Sequence, residues 1–280
     1  MSKHRISLFL LSAGISTLSL TGCSKDKESA PQQAAASQDA KVELAYPNQT
    51  GQSQAGELGG QAIEYRKING DNVYEGDILL TEAQVTNGGP RTESAGRTSG
   101  KWPSATVYYT VDAALPNQAR VTDAIAHWQT NTAIKFVKRT TQANYVTFRV
   151  GSGCSSNIGM VGGRQYINLA SGCSTGNTIH EIGHALGLFH EQTRNDRDTY
   201  VNILTQNIQS GYENNFAKYS SYGLSGSDFG ALDFGSIMMY GSFSFSSNGQ
   251  PTITKKDGST FNIQRSGLSA GDKSGIDTMY

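Results

Sequence analysis

Thr178-Ile179-His180-Glu181-Ile182-Gly183-His184-Ala185-Leu186-Gly187-Leu188-Phe189-His190-Glu191 is the stretch from which the rest of the chain is read. Ile179, Ile182 and Leu186 recur at helical spacing and give a helix, read here as about 178–189, one side to bury. His180 and His184 are four apart, so they share a helix face and can present two imidazoles to one ion. Glu181 lies one step round the helix, placed to take a proton rather than to ligate. Gly187 stands where the helix must stop, and glycine tolerates the positive φ of such a turn. The turn brings His190 back as a third ligand. Three histidines, a glutamate and a glycine in this order point to one zinc ion with an open position. His4 and His127 have no such company and read as ordinary residues.

Outward from this stretch, the chain is loop-rich. It has 280 residues with 32 glycines, and 23 basic residues balance 23 acidic ones. No basic stripe argues for nucleic acid. Lys3, His4 and Arg5 precede an apolar run, Ile6 to Leu20, which is the layout of a signal peptide over 1–22. The run ends in Leu20-Thr21-Gly22-Cys23, which resembles the lipobox of bacterial lipoproteins and implies a lipid on the Cys23 thiol. Ser24 after it favours the outer membrane by the same resemblance. Cys154 and Cys173 then remain as an even pair in an oxidising compartment, either bridged or free. Residues 23–60 are small and polar and read as a disordered tether. Residues 61–100 hold a modest apolar signal followed by a glycine-rich stretch open to proteases, and a folded domain runs over 101–280. Within it, strands are expected at 107–111, 134–138, 145–150 and 166–169, and helices at 117–131, about 203–216 and 268–280. Ser269 reads as the N-cap of the last helix. Residues 151–163 read as loop.

The zinc pattern is that of the metzincin metallopeptidases. The continuation His190-Glu191-Gln192-Thr193-Arg194-Asn195-Asp196-Arg197-Asp198-Thr199-Tyr200-Val201 resembles the astacin family. Ser236-Ile237-Met238-Met239-Tyr240 resembles its Met-turn, with Met239 where family members usually have histidine. The resemblance covers about Lys101 to Tyr280, including Gly153-Cys154 and Gly172-Cys173, which look like a disulfide-bounded region. The family's second disulfide has no cysteines here.

The resemblance implies an α+β fold of two subdomains: a twisted N-terminal sheet with helices, a zinc helix at the cleft, and an irregular C-terminal part with a closing helix. It implies a zinc endopeptidase acting on proteins or peptides, with Glu181 as general base and His180, His184 and His190 as ligands. Met238 would lie beneath the metal and Tyr240 would be a switchable ligand that stabilises the transition state. Glu191 would meet a new N-terminus after activation. Tyr74-Glu75-Gly76-Asp77 resembles the prosegment motif of the family, so Asp77 would latch the zinc in a precursor. The expected product is an exported precursor, anchored only through Cys23, whose monomeric catalytic domain leaves the membrane when the linker is cut.

Overall fold

The computed structural model describes residues 42–58, 61–86, 100–222 and 228–280. The signal peptide, Cys23 and the linker at 87–99 lie outside them.

Val107, Val146, Phe148, Ile167 and Leu169 alternate with polar residues on their strands and face one core, which is why these segments form a sheet. Among the described residues the strands are β1 (Gln52–Leu58), β2 (Gln61–Ile68), β3 (Asp71–Tyr74), β4 (Ile78–Leu80), β5 (Thr106–Val111), β6 (Lys135–Lys138), β7 (Tyr145–Val150), β8 (Cys154–Asn157) and β9 (Arg164–Leu169). They form one sheet in the order β1-β2-β3-β4-β8-β9-β7-β5-β6. β6, β5, β7 and β9 are parallel neighbours, and β8 runs antiparallel to β9. The segment before the linker supplies the other four strands, joined through β4, which pairs parallel to β8 at Ile78–Ser156 and Leu79–Asn157. A short α1 (Glu82–Thr86) follows β4.

α2 (Ala119–Asn131) and α3 (Thr175–Leu186) pack beneath the sheet. Val121, Ile125 and Trp128 of α2 meet Ile179, Ile182 and Leu186 of α3 in the core. Trp128 Nε1 donates to the Ile179 carbonyl at 3.1 Å, and Trp102 Nε1 donates to that of Ala185 at 2.8 Å. Both indoles thus satisfy their buried N–H on the helix that carries the ligands. The C-terminal part is irregular: β10 (Val201–Ile203) pairs with β11 (Ile253–Lys255), and α4 (Ala270–Met279) closes the chain. Ser269 caps α4 by accepting from Asp272 N. This is the α+β architecture expected from the sequence. Cys154 and Cys173 are joined in a disulfide.

Four local expectations need correction. Composition reads 42–58 as tether, yet Glu43 and Ala45 are buried and Gln52–Leu58 forms β1. That strand has little propensity of its own, and pairing along the whole of β2 supplies what composition lacks. Cys154–Asn157 is strand β8 rather than loop. The helix expected near 203–216 is replaced by β10 and short 3-10 turns. The ligand helix spans Thr175–Leu186 rather than reaching Phe189, because Gly187 ends it at φ 107°. It also starts earlier, since Ser174 and Asn177 form a capping box that the apolar spacing does not reveal.

Replacing Trp128 by Ala removes a fully buried side chain and its hydrogen bond. Urea unfolding should show a loss of about 3–5 kcal/mol; a loss below about 1 kcal/mol would mean α2 does not support α3.

Candidate metal centre

Asp77, His180, His184 and His190 converge at one buried point, where a ligand atom from each lies within 4.8 Å of the others. α3 supplies two of the imidazoles from one face. The turn after Gly187, tied by Leu188 N to the Gly183 carbonyl at 2.9 Å, returns His190 to the same place. Each ring bonds outward through Nδ1: His180 to the Ile237 carbonyl at 2.8 Å, His184 to the Leu188 carbonyl at 2.7 Å, and His190 to Glu75 Oε2 at 2.8 Å. These partners fix the tautomer and turn every Nε2 inward, the arrangement expected around a metal.

Asp77 reaches this point because Glu75 and Gly76 both adopt positive φ, 48° and 91°. Its Oδ2 lies 3.2 Å from His180 Nε2 and 3.4 Å from His190 Nε2, and its Oδ1 lies 3.5 Å from His184 Nε2. Burial raises the Asp77 pKa, but the His190 and His184 rings outweigh it and hold the carboxyl well below its usual range. Burial lowers His190, yet Asp77 and Glu75 bring it up to about 9. Burial instead holds His180 down at about 4, so between these two rings the carboxylates favour positive charge on His190 alone.

The donor set fits zinc. Three imidazole nitrogens and a carboxylate oxygen are ordinary ligands for it. His190 Nε2 and both carboxylate oxygens of Glu181 are buried without a hydrogen-bond partner among the described residues. Such atoms ask for an absent polar partner. Burial, with Asp77 and Glu43 nearby, pushes the Glu181 carboxyl well above its usual range.

Met238 packs under α3: a Cβ at Gly183 would come 2.7 Å from its Sδ, so the glycine admits the sulfur. The turn holding Met238 is fixed by α4, since Asp272 accepts from Ser236 Oγ at 2.6 Å and from Ile237 N at 2.9 Å. The Tyr240 hydroxyl donates to the Glu75 carbonyl at 2.5 Å. Glu191 accepts from Asp233 N at 2.9 Å and pairs with Arg194 at 3.3 Å; burial raises its carboxyl to about 7. Sequence reading missed Glu75 and Asp272. Both touch the site through the fold; the acidic residue in Tyr74-Glu75-Gly76-Asp77 was the written signal for Glu75, and a place three residues after the Ser269 cap was that for Asp272.

Residues 94–280 match the model of the Astacin peptidase family. The chain is 40% identical over 204 residues to Blastula protease 10 of Paracentrotus lividus, covering 66% of this chain and 34% of that protein. It is 42% identical over 198 residues to Flavastacin of Elizabethkingia meningoseptica, covering 64% of this chain and 42% of that protein. The matches thus span less than half the length of these two relatives. Among solved structures it resembles High choriolytic enzyme 1, a hatching enzyme zinc-protease from Oryzias latipes. That likeness has a TM-score of 0.59 and 32% identity, and covers 64% of this chain and 92% of that one.

Glu75→Ala removes the acceptor that orients His190. Competition with a chelator on the intact chain should show zinc held about 10–100-fold more weakly; unchanged affinity would make Glu75 incidental to the metal.

Proposed function

This chain belongs to the astacin family, and we propose that it is a zinc endopeptidase hydrolysing proteins or peptides, made as a precursor latched by Asp77. The convergence of the Asp77 carboxylate on three inward-facing Nε2 atoms carries the reading. Zinc, when bound by His180, His184 and His190, polarises a peptide carbonyl and acidifies water at its open position.

Glu181 is buried and follows His180 on α3. Its carboxylate takes the proton of the attacking water and passes it to the leaving amine. The Tyr240 hydroxyl, released from the Glu75 carbonyl, turns towards the developing oxyanion and donates to it. Asp77 and Glu75 together therefore hold back the machinery: one carboxylate fills the place of the water, and one carbonyl occupies the tyrosine.

Residues 61–86, and the structured 42–58 before them, act as the prosegment. A cut between about Asn87 and Lys101 breaks the chain between them and the catalytic domain. The new α-amino group joins Arg194 at Glu191, a buried carboxyl that burial raises to about 7 and that a second cation would bring down. A lipid on Cys23 anchors the exported precursor, and the catalytic domain leaves the membrane as a monomer once the linker is cut and the N-terminal segment is gone; fully processed enzyme retained in membranes by its own lipid would contradict this.

Glu181→Gln should keep its zinc and, once the N-terminal segment has been removed, hydrolyse a broad protein substrate about 10²–10⁴-fold more slowly than the wild type. Equal rates at matched zinc would end the assignment of the base. The intact wild-type chain should be inactive on the same substrate, and full activity before any cut would remove the latch.

A further inference from the structure

Glu43 is 2% exposed, although it precedes the strands that anchor the rest of the N-terminal segment. Its carboxylate is gripped from two sides. Arg265 donates to it in a fork, Nε to Oε1 at 2.5 Å and Nη2 to Oε2 at 2.6 Å. Asn177 Nδ2 donates to Oε1 at 2.6 Å. Asn177 is itself fixed, because its Oδ1 accepts from Ser174 N at 2.8 Å in the cap of α3. The neighbouring backbone is seated equally closely. Ala45 N donates to the Gly76 carbonyl at 2.9 Å, next to Asp77. A Cβ at Gly153 would collide with the Leu44 carbonyl oxygen. Residues 42–47 therefore lie across the catalytic part on the α3-cap side, while β4 lies along β8.

None of these contacts uses the metal. Guanidinium and carboxylate keep their charges at any working pH, and bidentate geometry makes such a pair strong and directional. A cut at 87–99 removes only the covalent tether. It leaves the β4–β8 pairing, the apolar cluster joining Ile78 and Leu80 to Ile158 and Phe189, the Asp77 contacts and the Glu43 fork in place. We propose that Glu43 and Arg265 form a second, metal-independent clasp. Through it, the severed segment stays on the domain as a non-covalent inhibitor until it is itself destroyed. The inference rests on the reading of 42–86 as a prosegment, and it makes activation a two-step process.

The test follows retention rather than activity. The zinc-loaded full chain is nicked within 87–99, and the two pieces are followed by size exclusion and denaturing mass spectrometry, with and without chelator. The wild-type pieces should co-elute in both conditions. Glu43→Gln should release the segment about tenfold faster or more on dilution at full zinc, and should lose it on chelation. Gly153→Ala leaves the ion pair intact but pushes on Leu44, so it should speed release as well. Melting of the intact variants checks that they fold. Wild-type pieces that separate on nicking, or a Glu43→Gln segment retained like the wild type, would overturn the proposal. A failed endopeptidase assignment would show in hydrolysis and leave retention untouched.

Discussion

The outward hydrogen bonds of three imidazoles are the constraint on which the site depends. Ile237, Leu188 and Glu75 each hold one Nδ1, and each comes from a different part of the chain. Ile237 is set by the Met-turn, which Asp272 of the closing helix holds in place. Leu188 is set by the end of α3 at Gly187. Glu75 is set by its own turn, where it and Gly76 take positive φ. If Ile237 or Leu188 slips, one Nε2 no longer faces the shared point, whereas Glu75 steadies His190 only while its segment is in place. A ligand placed about 1 Å away loses most of what orientation contributes. The two indoles that bond to α3 from below serve the same end, fixing the helix axis against the core.

The N-terminal segment meets the imidazoles twice, since Asp77 faces the three Nε2 atoms while Glu75 holds His190 from behind. The Glu75 carbonyl takes the Tyr240 hydroxyl as well. A single turn, Glu75-Gly76-Asp77, thus engages both ring nitrogens of His190, the inward Nε2 atoms of His180 and His184, and the Tyr240 hydroxyl together. Removal of that turn takes the acceptor from His190 and frees Tyr240 at the same moment.

What the sequence made legible was local. His180, His184, Gly187 and His190 are spaced by helix geometry and a stop signal, so they could be placed from the pattern alone. Strands with alternating β-branched and aromatic residues, such as Tyr145–Val150, could be placed for the same reason. The polar N-terminal stretch misled, because β1 takes its order from β2 rather than from its own residues. The Glu43–Arg265 pair joins residues 222 positions apart, and no periodicity encodes it. Asp272 was visible only as the third residue after a cap, although it also holds the Met-turn.

X-ray absorption at the zinc edge asks most directly whether the Asp77 carboxylate fills the fourth position of a zinc ion held by three imidazoles. The comparison is between the intact zinc-loaded chain and its Asp77→Ala variant. The wild type should show imidazole nitrogens at about 2.0–2.1 Å and a carboxylate oxygen at about 2.0–2.2 Å, with the carboxylate contribution lost in the variant. Identical spectra from the two proteins would contradict the latch.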